Sequence, residues 1–383
     1  MEVGTFVNTP AHAHLYREFV NTLERRGHHA TVFARDDSCT LDILDFHDIS
    51  YHIYGERSGG RTALAKALPG HLRTIARLLQ TVELDLVFGM GVYSTYAGGI
   101  AGVPAIAVMD SEPMAFKQRL TAPLVTAFLT PESFRRNLGR KHYTFRGFKE
   151  TAYLHPDVYR PAGDIRRALD LDADDRFSVV RFNAFHGHHD VGVTGFSTRQ
   201  KRALLERLAE HGIVFVSDEH GDSYPERDRI RAFDAHPALI HDALAEADIL
   251  IADTQTMVTE AALLGTPAIR SNSFVGPSDM GNFGTLERAG LVYNLRAFDA
   301  VMERIDALLA DPTTRSEWAI RREGFLAEQC NLTAILAELV EDAATHGSVR
   351  DAIDRCDHLT PAATRDPHAT IRSRPAETTG GAY

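Results

Sequence analysis

Apolar positions along this chain fall into two series, each alternating short apolar runs with longer stretches of helical period. In the first, "VGTFVN" (3–8) predicts a strand, and 12–26 a helix with Leu15, Phe19, Val20 and Leu23 on one stripe. "HATVFA" (29–34), a helix near 39–46, "ISYHIY" (49–54) and a long helix near 61–82 follow. "LDLVFG" (84–89), a small-residue helix near 93–102, "VPAIAVMD" (103–110), "VTAFLTP" (125–131) and a helix near 132–139 close the series. The second runs through "FSVVRFNAF" (177–185), a helix at 197–211, "IVFVSD" (213–218), "DILIAD" (248–253), a helix at 255–264 and "TPAIRS" (266–271). Helices at 296–310, 313–328 and 331–345 complete it.

Strand–helix alternation builds right-handed βαβ units, with a parallel sheet covered on both faces. The expected fold is therefore α/β, with two doubly wound Rossmann-like domains facing a central cleft. The first spans 1–152, and "LHPDVYRPAGD", with its two prolines, marks a linker at 153–165. The second spans 166–345. Residues 346–383 lack an apolar period and are rich in Pro, Thr, Arg and Gly, so a disordered tail is expected there. Ligands of such folds sit beyond the carboxyl ends of the strands.

Charge narrows the functional classes. The formal net charge of −11 disfavours a nucleic-acid partner, because phosphate neutralisation needs a basic face. Only five residues are lysine, leaving 36 arginines, a balance that suggests salt adaptation or GC-rich coding. No apolar run approaches the ~20 residues that span a bilayer, and "MEVGTFVNTP" lacks a signal-peptide pattern. A cytoplasmic location is expected, at most peripheral at the inner membrane face, where "GRKHYTFRGFKE" (139–150) is the most cationic patch. Cys39, Cys330 and Cys356 are odd in number and far apart, which argues for free thiols rather than a disulfide or zinc framework.

Candidate chemistry gathers at strand ends. "DILIADTQTMVTEAALLG" (248–265) sets Asp253, Thr254, Gln255 and Thr256 where a strand turns into a helix. A helix start offers unpaired N–H groups and the positive end of a dipole, which suits a diphosphate. Glu260, one turn further in, is placed to accept both hydroxyls of a ribose. The plainer alternative is that Asp253 or Thr254 only caps the helix while Glu260 is solvated. "FVNTPAHAHLYREF" (6–19) brings Asn8, Thr9, His12 and His14 to the edge of the first sheet, where an imidazole suits a general base; the plainer alternative is that both histidines are partly buried helix-start residues bonded to backbone carbonyls. "VMDSEP" (108–113) adds Asp110 and Glu112, as base, sugar ligand or helix cap. "RFNAFHGHHDVG" (181–192) offers Arg181 for a phosphate and His186 and His188 for sugar or phosphate. Its histidines lack the spacing of a helical metal site, so no metal and no cofactor is expected. "SNSFVGPSDMGNFGTLE" (271–287) suits a lid, or an ordinary long connection. "GMGVYST" lacks the downstream acid of a dinucleotide fingerprint.

The segment "DTQTMVTEAALLGTPAIRSNSF" resembles the donor-binding segment of the GT-B superfamily, which includes nucleotide-sugar glycosyltransferases and the non-hydrolysing UDP-N-acetylglucosamine 2-epimerases. The resemblance implies a polar turn for the diphosphate and a following Glu for the ribose, falling on Asp253, Thr254, Gln255, Thr256 and Glu260. It also implies an active-site role for Glu112, which matches a Glu of the epimerases. From about 1 to 330 the chain resembles more closely an archaeal domain-of-unknown-function family (family 354) grouped with the GT-B proteins. "NTPAHAH", "DSE", "LHPDVYRP", "VVRFNAF", "TEAALLGTPAIRSNSF" and "GNFGTLE" carry that likeness.

The leading expectation is a metal-independent glycosyltransferase that moves sugar from a UDP-linked donor to a glycan or lipid-linked acceptor. The second is a UDP-N-acetylglucosamine 2-epimerase. Three features of the epimerases are missing here: "GMGVYST" has no carboxylate, "MAFKQRLTAP" has no second Glu, and "NTPAHAH" replaces their Arg-Pro-Glu turn. The third is a nucleotide-sugar binding protein without catalysis.

Overall fold

The apolar runs become strands because Val, Ile and Phe fit a pleated surface buried on both sides, as a doubly covered parallel sheet requires. The computed structural model describes residues 1–57, 60–112, 119–182, 195–218, 227–276 and 279–362, with backbone alone at 60–65. The first half contributes β1 (Glu2–Val7), β2 (His29–Asp36), β3 (Tyr51–Glu56), β4 (Leu86–Gly89), β5 (Ala105–Val108), β6 (Ala127–Pro131) and β7 (His142–Phe145). The second contributes β8 (Phe177–Phe182), β9 (Ile213–Asp218), β10 (Ile230–Ala232), β11 (Leu250–Ala252), β12 (Ala268–Arg270) and β13 (Val292–Asn294). A two-residue β14 (Thr360–Pro361) returns to the first sheet.

The first sheet has the order β14-β7-β6-β5-β4-β1-β2-β3 and the second β10-β9-β8-β11-β12-β13. Every pairing between these strands is parallel except β14 with β7. In each sheet the strand order reverses direction near the centre, beside β1 and β4 in the first and β8 and β11 in the second, which opens crevices at the carboxyl ends.

The chain departs from its sequence pattern in three places. No helix forms at 132–139; the segment turns, with Phe134 buried, and delivers the unexpected strand β7. The helix Leu332–His346, assigned by pattern to the second domain, packs on the first half. Thr333 Oγ1 donates to the Ala152 carbonyl at 2.8 Å, and Arg26 pairs with Glu341 at 2.8 Å. Finally, the tail expected to be disordered from 346 is ordered as far as 362. Helix Val349–Arg355 buries Val349, Ala352 and Ile353, and Tyr143 donates to Asp354 at 2.7 Å. The remainder of the tail, from 363, lies outside the described residues.

Candidate functional site at the seam between the sheets

At the carboxyl ends of the second sheet, Arg181, Ala252 and Arg270 stand in one row across β8, β11 and β12. The chain leaves β11 through Asp253, Thr254 and Gln255 and enters helix Thr256–Leu264. Asn272 Nδ2 donates to the Asp253 carbonyl at 2.9 Å and pins this turn. Gln255 occupies the N-cap without a side-chain cap bond, and no acid lies in the first turn. The alternative in which Asp253 or Thr254 caps the helix is therefore not realised. Thr254 Oγ1 is buried without a hydrogen-bond partner. Arg181 donates to Ser217 Oγ at 2.6 Å. Arg270 is fully buried, paired with Asp279 and stacked 3.5 Å from the Phe283 ring centroid.

Glu260 is not the solvated residue of the plainer alternative. It is 3% exposed, and its Oε1 accepts from Tyr153 Oη at 2.8 Å and from His241 Nε2 at 3.0 Å. Burial alone would raise its pKa, but His241 and Tyr153 outweigh that and hold the carboxyl below its ordinary value. Tyr153 belongs to the segment between the two sheets and His241 to helix Ile240–Glu246, so Glu260 ties the halves together.

His14 closes the same seam from helix Pro10–Arg25. Its ring meets His241 edge-on at 4.4 Å and Tyr153 at 5.9 Å. It is 3% exposed, its Nδ1 has no partner, and burial together with His241 pushes its pKa well down. This placement does not favour a general base at His14, whose ring is packed against His241 and Tyr153. Next to it, Arg17 donates to His47 Nε2 at 2.6 Å, and burial and Arg17 lower His47 to about 4.

His12 has a defined tautomer. The Asn8 backbone N–H donates to its Nδ1 at 3.2 Å, so a neutral ring carries its proton on Nε2 and acts there as a donor, not a base. Thr9 is the N-cap residue of the same helix. Asn8 Oδ1 accepts from Tyr54 at 2.5 Å, and His71 Nδ1 meets the Tyr93 hydroxyl at 2.9 Å. The Tyr54 and Tyr93 rings lie 5.0 Å apart. These three aromatic groups escaped the sequence reading because they lie on separate elements with no local motif. Gly91, at φ +109°, supplies the turn after β4, which explains the second glycine of "GMG".

Asp110, at the end of β5, is 5% exposed, ion-paired with Lys149 and hydrogen-bonded by Ser111 at 3.1 Å. Burial opposes its ionisation, but Lys149 and then Ser111 and His12 keep its pKa low. Glu112 has a bridging role. Its Oε1 accepts the Gly281 N–H at 3.1 Å and the Arg135 N–H at 3.3 Å, so a first-half carboxylate sits on the start of second-half helix Gly281–Arg288. Glu112 thus makes a contact between the halves through Oε1, while its Oε2 is buried without a hydrogen-bond partner. His186 and His188 lie outside the described residues, as does part of the lid expected at 271–287. Among the described residues no cluster of three or more His, Cys, Asp or Glu is placed to hold a metal, and no helix is long and apolar enough to cross a membrane.

Solved structures share this architecture. The UDP-GlcNAc 2-epimerase from Neisseria meningitidis, bound to UDP-GlcNAc, superposes with a TM-score of 0.62 at 12% identity, covering 89% of this chain and 100% of that one. The glycotransferase of kitacinnamycin gives 0.59 at 14%, covering 89% and 98%. Glycosyltransferase VinC in complex with dTDP gives 0.55 at 13%, covering 90% and 100%. No protein-family model matches the chain, and no curated protein matches it in sequence. The fold is GT-B-like, shared by sugar-nucleotide epimerases and glycosyltransferases.

Proposed function

We propose that this chain is a metal-independent glycosyltransferase that takes a nucleotide-sugar, most simply a UDP-sugar, into the cleft between its sheets and passes the sugar to a glycan or lipid-linked acceptor. The observation that carries the reading is the uncapped start of helix Thr256–Leu264, with the Thr254 hydroxyl unpartnered beside it and Glu260 one turn behind. Backbone N–H groups there meet the diphosphate, and Arg181 neutralises charge as it departs. Glu260 receives the ribose at Oε2, which no protein donor reaches among the described residues. Structural neighbours solved with UDP-GlcNAc and dTDP support a nucleotide-linked donor of this general kind.

Transfer needs the acceptor oxygen to bond the anomeric carbon, the bond from that carbon to the diphosphate to break, and the hydroxyl proton to leave. With His14 packed in the seam and His12 Nδ1 held by Asn8, we assign proton acceptance to Asp110, a carboxylate at the first sheet's edge that Lys149 and Ser111 hold ionised and so leave a weak base. Lys149 sets its basicity, and His12 Nε2 serves as a donor that orients the acceptor. The epimerase reading ranks lower because "GMGVYST" and "MAFKQRLTAP" lack the carboxylates that the epimerases carry and "NTPAHAH" replaces their Arg-Pro-Glu turn.

Calorimetry with UDP, followed by NMR of UDP-N-acetylglucosamine incubated with the protein, tests the reading. It expects nucleotide binding and no isomer in the absence of acceptor. Isomer formation would contradict transfer, and binding with unchanged cellular glycans in Asp110→Asn would favour a protein that only binds.

A further inference from the structure

Where the chain leaves β7 it carries Lys149 and Glu150 into the space between the two sheets. Lys149 Nζ pairs with Asp110 and stands 3.0 Å from Glu150 Oε1. Glu150 is 1% exposed, and its Oε2 has no hydrogen-bond partner. Glu260, on helix Thr256–Leu264, is near enough to oppose ionisation of Glu150, and Tyr153, which follows Glu150 in the chain, donates to Glu260. His241 and His14 stand behind Glu260, and His12 beside Asp110.

Two buried carboxylates thus share one ammonium, with a third, Glu260, held by Tyr153 and His241. Among the described residues Lys149 serves both Asp110 and Glu150, while His241 serves Glu260; two carboxylates sharing one ammonium out of water carry a large penalty, so one of them gives way. Asp110 has Lys149 and Ser111 as donors, and Glu260 has Tyr153 and His241. Glu150 has only a share of Lys149 and one empty oxygen.

We propose that Glu150 holds a proton at the seam between the halves, and that a nucleotide-sugar entering beside Glu260 fixes that proton in place, so that Glu150 couples donor binding to protonation. The coupling rests on the nucleotide reading given above; the protonation does not. Burial first, then Asp110 and Glu260, push the Glu150 carboxyl up to about 7, against the pull of Lys149. A bound diphosphate adds negative charge, so it raises the proton's hold further. Binding therefore takes up a proton, and donor affinity falls as pH rises above neutrality. Glu150 acts here as a positioning residue, since it sets the charge seen by Asp110 and Glu260 without reaching substrate.

Two measurements on the full chain test this. Difference infrared spectra between about pH 6 and about pH 8 should show a protonated carboxyl band that disappears on raising pH and is absent in Glu150→Gln, with Glu150→Met as a second variant of similar length. A band that persists in both variants overturns the assignment, whether or not any nucleotide binds. Calorimetry near neutral pH with UDP-N-acetylglucosamine, in two buffers of different ionisation heat, should count an uptake of about half a proton in the parent and none in Glu150→Gln. The parent's Kd should rise about threefold or more between about pH 6 and about pH 8, with Glu150→Gln flat. Binding by the parent without proton uptake overturns the coupling. Absence of binding by the parent at every pH overturns the nucleotide reading instead, and the infrared band then decides Glu150 by itself.

Discussion

Replacing Gly281 by alanine probes the seam on which the site is built. A Cβ at 281 would stand 1.7 Å from the Ser133 carbonyl oxygen and 2.7 Å from its carbon, where real Cβ atoms keep 3.0 Å or more. The shortfall at the oxygen is about 1.3 Å, and the obstacle is backbone from the other half, not the end of a flexible side chain. Either the helix Gly281–Arg288 retreats, breaking the Gly281 N–H bond to Glu112, or the halves separate. Overpacking of this kind costs about 1–3 kcal/mol, and the lost cap adds about 1.

Gly284, one turn along, is the control. A Cβ there meets only the tips of Arg288 and Arg135 at 3.4 and 3.5 Å, and alanine in a helix interior gains up to about 1 kcal/mol over glycine. Denaturant melts of the two variants should therefore move in opposite directions, with Gly281→Ala about 2–4 kcal/mol less stable than the parent and weaker in nucleotide binding. Equal midpoints for the two variants would refute the seam contact.

Other expectations follow from the same geometry. Tyr153→Phe removes a buried donor from Glu260 and should lower stability by about 1–2 kcal/mol in a thermal melt. In a Glu260→Ala background the same change should cost little further stability; equal losses in both backgrounds would deny the contact. His47, lowered to about 4 by burial and Arg17, binds protons more readily unfolded than folded. Its contribution is thus complete above about pH 6.5 and fades as pH falls toward 4, so His47→Gln should flatten that part of an acid melt. Glu112→Gln, which keeps an acceptor for Gly281 N–H, should retain most stability, whereas Glu112→Ala should lose about 1 kcal/mol by the same melt.

Much of the frame was readable from apolar periodicity because the strands of doubly covered sheets are continuous apolar runs, as in "DILIA" and "AIAV". β7 was missed because "HYTF" is four residues long and carries a buried His142, whose Nε2 meets Thr130 Oγ1 at 2.7 Å. In the tail, Val349, Ala352, Ile353 and Cys356 do follow a helical period. Reading 346–383 as one polar block averaged that signal away. The turn at 253–256 was legible because it lies in one stretch of chain. The partners of Glu260 were not, since Tyr153 is 107 residues distant and only the fold brings it there. The same limit explains the histidines. Sequence placed His12 and His14 at a sheet edge, but only coordinates show one ring held by Asn8 and the other packed on His241.

The central claim is that a nucleoside diphosphate lies against the start of helix Thr256–Leu264 with its ribose on Glu260. A crystal structure of the protein grown with UDP tests it most directly. The account predicts the diphosphate within hydrogen-bond reach of the backbone N–H groups at that helix start, and a ribose hydroxyl on the Glu260 carboxylate. UDP seated elsewhere, or a cleft left empty at saturating UDP, would contradict it.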